Sequence, residues 1–198
     1  MKFYIKMSFL PFVYLLFSAM LGLGIMLLDD HLFWLEFFLY ATNTAFYVII
    51  VSAAGLKDGQ TALRCREQND TFRRRIAETG EDLPLNITEE YTPWKGFVIG
   101  AMACIPTVLL VILHFVTNIG VATPDSTFGM GAGILSMVVF GFVFLTEKIT
   151  FGQYAIALVL LPVVSCAYGI PYVIGAKKAQ REYDKIRDIQ KQLHGDGK

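Results

Sequence analysis

Apolar residues along this chain fall into long uninterrupted runs, and polar residues into one central stretch and one terminal stretch. The apolar runs lie at about 8–28, 32–54, 94–116, 129–146 and 151–175. The longest polar stretch, 56–93, separates the second run from the third. Runs of about 20 apolar residues match the ~30 Å hydrocarbon core of a bilayer. The pattern therefore predicts an all-α, polytopic membrane protein.

The placement of Lys and Arg predicts how such helices would be oriented. Basic residues concentrate at the N-terminus, in the stretch 56–93 and in the tail after Gly175, and loops at 29–31 and 117–128 contain none. Because basic segments are retained on the cytoplasmic side of a membrane, we expect these three segments and both termini to be cytoplasmic. The predicted location is the cytoplasmic (inner) membrane of a bacterium.

Five simple crossings would place the basic tail outside, so the number of spans stays open between two arrangements. In the first, 129–146 is a re-entrant segment, which the glycines at its start would allow where the backbone is buried against protein. In the second, it is a fifth full span. We predict four full transmembrane helices plus a re-entrant or fifth membrane segment, with a cytoplasmic helical insertion and a C-terminal helix.

These assignments divide the chain into four regions. They are a first transmembrane hairpin at 1–55, a cytoplasmic helical insertion at 56–93, a second membrane region at 94–175, and a cytoplasmic amphipathic tail helix at 176–198. At the start of the second membrane region, Gly96, Gly100 and Cys104 recur at a spacing of four. Small residues at that spacing allow close helix contact, either within the chain or in a dimer.

Composition and motifs argue against an enzyme. The three cysteines form no CxxC pair, which argues against a disulfide framework. The sequence contains no P-loop, no GxSxG and no HExxH, and its three histidines are far apart. With 17 basic and 17 acidic residues, the chain as a whole does not attract nucleic acid. We predict no catalytic residues, no metal, no cofactor and no nucleic-acid partner.

A few polar residues inside the apolar runs are candidates for binding or for helix packing. They are Thr42, Asn43, Thr44 and His114. Asn43 can form a hydrogen bond to a neighbouring helix, whereas the threonines can bond to carbonyls of their own helix. Both interpretations stay open: contacts between helices, or a patch that lines a path for a solute.

Two polar segments are candidates for contacts with other molecules. Arg73, Arg74 and Arg75 form a short basic run that can bind anionic lipid headgroups or can simply be a solvated helix face. In the tail, the apolar residues recur at threes and fours, at Tyr183, Ile186, Ile189 and Leu193. A lone helix of this length cannot hide such a stripe, so we expect it to pack on the insertion or on a protein partner.

The functional prediction follows from where the soluble surface and charge concentrate. We expect an accessory or scaffold subunit that docks a protein partner through its cytoplasmic helices and has membrane lipids around its spans. The alternative is a small-solute transporter or channel that uses the polar patch around Asn43 and the helices interrupted by Pro106, Pro162 and Pro171.

Overall fold

The computed structural model describes residues 2–26, 33–117 and 151–195, and these residues form four α-helices. The helices are α1 (Lys2–Met26), α2 (Phe33–Thr79), α3 (Lys95–Thr117) and α4 (Phe151–Gly195), with a short 3-10 turn at Ile87–Glu89 between α2 and α3. About 90% of the described residues are helical and none is in a strand. The all-α part of the prediction is confirmed.

The two longest helices each join an apolar half to a charged half. α2 has 47 residues and passes through the predicted boundary at 55/56 without a break. α4 has 45 residues and likewise passes through 175/176. α2 ends where Gly80 adopts a positive φ of 72° and donates its N–H to the carbonyl of Ile76 at 2.9 Å. A glycine in this conformation terminates a helix at no steric cost.

The structure corrects the membrane prediction. Over residues 2–26, 33–117 and 151–195, no helix is long and apolar enough to cross a membrane, which takes about 20 consecutive apolar residues. Residues 33–54 of the predicted second span are part of α2, and the predicted span at 151–175 is part of α4; the other halves of both helices are charged. The four full transmembrane helices, and with them the multi-pass location in a bacterial inner membrane, are contradicted. The segment 129–146 lies outside the described residues.

α2 and α4 run parallel and touch backbone to backbone. A Cβ added at Gly55 would lie 2.5 Å from the carbonyl oxygen of Tyr168, and one at Gly59 would lie 1.9 Å from that of Tyr172. A Cβ at Gly175 would lie 2.0 Å from the carbonyl oxygen of Leu56. Only glycine leaves room for so close an approach, so these three positions set the distance between the two helices.

α3 packs against α4 through the small residues that recur at a spacing of four, Gly96, Gly100 and Cys104. A Cβ at Gly100 would lie 2.8 Å from the Cα of Ser165, and one at Gly96 would meet the ring of Tyr172 at 2.7 Å. Cys104, one turn further along, is buried in the core. The stripe therefore mediates packing within the chain. The Ser165 hydroxyl adds a hydrogen bond of 2.7 Å to the carbonyl of Phe97.

The core lies between the four helices, at the level where α2 and α4 are closest. Its fully buried members include Val51, Ile99 and Tyr168. In contrast, α1 and the first half of α2 expose large apolar side chains, among them Met20 at 71% and Phe38 at 66%. Apolar surface of this extent is typical of a face that another molecule covers.

Candidate functional site: a two-helix arm and the polar contacts at its base

Beyond the core, the charged halves of α2 and α4 continue side by side as a two-helix arm, defined here as residues 63–79 and 176–192. Leu63, Ala176 and Ala179 are buried along its seam, and Tyr183 packs against them. Arg187 and Glu67 form an ion pair across the seam at 3.7 Å. That pair is partly exposed and contributes at most about 1 kcal/mol, so apolar contact is the larger stabilising term.

The residues of the predicted docking stripe differ in burial. Tyr183 is half-buried and faces the seam. Ile186 and Ile189 are 53% and 55% exposed. Leu193 belongs to the last part of α4, where its side chain is not among those described. The insertion and the tail thus pack together through Tyr183, and the two isoleucines remain uncovered within the described chain.

A groove of about 480 Å³ runs along the arm, and Ile186 is one of its lining residues. Its lining comes from both helices and consists of Arg64, Glu67, Gln68, Thr71, Tyr183, Ile186, Arg187 and Gln190. The arm carries 11 basic and 6 acidic side chains, a net charge of +5, although the whole chain is neutral. The groove therefore has both polar and apolar lining residues, and it lies on an arm with a net positive charge.

Polar contacts fasten the segment before α3 to the base of the arm. The Glu90 carboxylate accepts hydrogen bonds from Arg73 at 2.6 Å and from Asn69 at 2.7 Å. Lys95, which is buried, donates from Nζ to the carbonyls of Thr88, at 3.0 Å, and of Glu90. Burial lowers the pKa of Lys95, and the nearby Glu90 carboxylate opposes that shift. The turn before α3 is thereby held against α2.

The three arginines proposed to contact lipid headgroups have different surroundings. Arg73 forms ion pairs with Asp70 at 2.8 Å and with Glu90 at 2.6 Å. Arg74 and Arg75 are exposed. Arg73 therefore has a structural role in the chain itself, and contact of Arg74 and Arg75 with anionic headgroups stays a prediction.

The polar residues of the second apolar run serve contacts between and within helices. Asn43 is buried and is hydrogen-bonded to Ser18 of α1. Thr42 is exposed and donates to the carbonyl of Phe38 in its own helix at 2.8 Å, and Thr44 is half-buried. His114 belongs to α3, where its side chain is not among those described. The structure brings Asn43 to α1, and Thr42 lies away from that contact.

Sequence reasoning missed a polar pair at the base of the arm. The Tyr168 hydroxyl of α4 donates a hydrogen bond to the Asp58 carboxylate of α2. Tyr172 stacks on Tyr168 and on Tyr91, with ring centroids 6.5 Å and 5.6 Å apart. Burial raises the pKa of Asp58, while the hydrogen bond from Tyr168 and the charge of Lys57 act in the opposite direction.

The signal that could have located this pair was the spacing of Gly55 and Gly59. Asp58 lies three residues after Gly55 and next to Gly59, near the face of α2 that contacts α4. In the sequence, Asp58 belongs to the charged stretch that starts with Lys57, where a carboxylate is unremarkable.

Comparison of the chain with protein-family models, with curated proteins and with solved structures finds no match.

Proposed function

We propose that this protein is an accessory or scaffold protein whose two-helix arm binds an acidic, amphipathic helix of a partner protein. The observation that carries the proposal is the exposure of Ile186 and Ile189, more than half of each side chain, beside the groove between α2 and α4. Residues three apart lie on one side of a helix, so the two isoleucines form a single apolar strip. Burying such a side chain fully contributes about 1.5–3 kcal/mol.

The shape of the arm supports a helix as the bound segment. Two parallel helices present a straight groove, and Tyr183 and Ile186 form its apolar part. An amphipathic helix places its apolar residues into such a groove at intervals of three and four. A third helix lying along the arm would cover the isoleucines and would leave its own polar face in water.

The charge of the arm supports an acidic segment. Arg64 and Arg187 line the groove, Glu67 is already paired with Arg187, and the arm as a whole carries a net charge of +5. A negatively charged helix would be attracted to this surface, and a basic one would be repelled. Charge complementarity of this kind mainly determines the partner and the association rate, whereas apolar contact determines the dissociation rate.

The proposal is tested by purifying the protein with its bound partners in three forms: wild type, a variant carrying Ile186→Ser and Ile189→Ser, and the control Asp188→Ser on the same exposed helix. Cross-linking then identifies which segment of the partner contacts the arm. Loss of the partner from the isoleucine variant alone, together with an acidic amphipathic segment at the cross-link, is the expected result. Equal retention by all three forms, or a contacting segment rich in Lys and Arg, contradicts the proposal.

The alternative of a solute transporter or channel has no specific support. It would use Asn43, but both ends of the Asn43 amide are bonded to Ser18 in the contact between α1 and α2. A side chain whose donor and acceptor are both occupied by the protein has little capacity left for a solute.

A further inference from the structure

A small cavity lies at the base of the two-helix arm, where all four helices and the 3-10 turn meet. Its volume is about 180 Å³, comparable to the cavity of about 150 Å³ that holds benzene in an engineered protein. Phe3 and Lys6 of α1, Asp58 of α2, Glu89 of the turn, Ile99 of α3 and Tyr172 of α4 are among its lining residues. The space suits an organic molecule of about six to eight non-hydrogen atoms.

The charged groups of the cavity are unusual in having no ion-pair partner. Among residues 2–26, 33–117 and 151–195, neither Asp58 nor Glu89 has a basic nitrogen within 4.0 Å of its carboxylate. The side chain of Asp58 is half-buried, and its hydrogen bond comes from the uncharged hydroxyl of Tyr168. A partly buried carboxylate without an ion-pair partner is costly, so a bound cation would stabilise its ionised form.

The neighbouring basic groups do not supply that cation. Lys6 lines the cavity with an exposed side chain, and Lys57 is exposed on α2. Lys95 donates its Nζ to the carbonyls of Thr88 and Glu90, and this Nζ lies 5.8 Å from the centroid of the Phe3 ring. Apart from Thr61, whose hydroxyl donates to the carbonyl of Lys57, the remaining lining is apolar or aromatic.

We propose that this cavity binds a small organic ammonium ion, whose charged group pairs with Asp58 and whose short apolar body lies against Ile99 and the rings of Phe3 and Tyr172. Sites for small molecules are typically lined by apolar and aromatic side chains, with a few polar groups that fix the orientation of the ligand, as Asp58 would fix the ammonium group here. A bare metal ion fits less well, because Ca²⁺ takes six to eight oxygen ligands and Mg²⁺ needs an octahedral set. An anion would face two carboxylates. The proposal does not depend on the docking function of the arm.

The test uses n-butylammonium as the probe, with butan-1-ol and butyrate as neutral and anionic molecules of similar size. Binding is measured near neutral pH by calorimetry and by NMR shifts of residues around the cavity. We expect butylammonium alone to bind, and Asp58→Asn to weaken it at least tenfold, which corresponds to about 1.4 kcal/mol. Glu89→Gln should weaken it less, because Glu89 is exposed at the cavity, and Lys6→Gln should not weaken it.

A second variant separates the loss of charge from the loss of fold. Ala62 is buried and also lines the cavity, so Ala62→Leu fills space while leaving Asp58 in place. It should also abolish binding, and circular dichroism shows whether each variant remains helical. Binding of butan-1-ol or butyrate as tight as that of butylammonium overturns the proposal. Failure of butylammonium to bind, or unchanged affinity in a folded Asp58→Asn variant, overturns it as well.

Discussion

Ser18 of α1 and Asn43 of α2 exchange two hydrogen bonds. The Ser18 hydroxyl donates to Oδ1 of Asn43 at 3.1 Å, and Nδ2 of Asn43 donates to the main-chain carbonyl of Ser18 at 2.9 Å. Both residues are buried, at 3% and 6% exposure. The Asn43 amide thus bonds to both the side chain and the main chain of Ser18 away from water, and the pair fixes how α1 lies on α2.

Replacing Asn43 by Ala should destabilise the protein by about 1–3 kcal/mol, because it leaves the buried Ser18 hydroxyl without this acceptor. Chemical denaturation measures the change in the free energy of unfolding. The matched control is Thr42→Ala, one residue away, whose exposed hydroxyl bonds only to its own helix; it should change stability by less than about 0.5 kcal/mol. Equal effects of the two substitutions would show that the contact with Ser18 contributes nothing specific.

Gly59→Ala should weaken the contact between α2 and α4. The added Cβ would lie 1.9 Å from the carbonyl oxygen of Tyr172, so the helices must separate. Overpacking of this kind costs about 1–3 kcal/mol, more than the ~1 kcal/mol that alanine gains over glycine in a helix. Gly55→Ala, with a Cβ 2.5 Å from the carbonyl oxygen of Tyr168, should cost less. A Gly59→Ala variant with a raised melting temperature would contradict this packing.

Asp58 should make stability depend on pH. Because burial raises its pKa in the folded state above the ordinary value of 3.8, the folded protein binds this proton more tightly than the unfolded chain. The stability that this difference in pKa contributes is fully present below about pH 3.8, and it is lost as pH rises through the folded-state pKa of Asp58. Asp58→Asn removes this loss, so its melting temperature should fall less than that of the wild type between about pH 4 and pH 7.

Tyr168→Phe provides the opposite change at the same site. It removes the hydrogen bond that lowers the pKa of Asp58, so the folded-state pKa should rise further and the loss of stability with increasing pH should become larger. Direct titration of the Asp58 carboxyl by NMR follows both effects. The same pH profile in wild type, Asp58→Asn and Tyr168→Phe would show that this carboxylate has no linked effect.

Arg73 should stabilise the turn before α3, and its neighbour Arg74 should not. Arg73→Ala removes the ion pairs with Asp70 and Glu90, so the turn at Ile87–Glu89 should exchange its amide hydrogens faster. Because these groups are partly exposed, global stability should fall by no more than about 1 kcal/mol. Arg74→Ala is the matched control. Equal exchange rates in the two variants would contradict a structural role for Arg73.

The sequence predicted helices correctly, but it did not predict that two of them continue through a change in hydropathy. Hydropathy changes at about Leu56 and after Gly175. The length of a helix, however, depends on the helix propensity of its residues and on helix-breaking residues, and the range 56–79 contains no proline. α2 therefore continues to Thr79 and ends where Gly80 adopts a positive φ. The apolar runs also predicted membrane spans, which the helices of residues 2–26, 33–117 and 151–195 contradict.

The candidate sites were predictable only in part. The stripe of Tyr183, Ile186 and Ile189 follows from helical periodicity, because its residues lie on one element. The pair of Asp58 and Tyr168 does not, because 110 residues separate them and only the parallel packing of α2 on α4 brings them together. Periodicity describes one helix at a time, and a site shared between helices depends on how they pack.

The central claim, that the two-helix arm binds an acidic amphipathic helix, is tested most directly by titrating the purified protein with two peptides. Both peptides have about 18 residues and leucine at the same positions. The positions beside the leucines are Glu in one peptide and Lys in the other. Fluorescence anisotropy should show binding of the Glu peptide alone, weakening as salt rises from about 0.05 to 0.5 M. Ile186→Ser combined with Ile189→Ser should reduce its affinity at least tenfold, about 1.4 kcal/mol. Equal binding of the Lys peptide, or unchanged affinity in the isoleucine variant, would contradict the claim.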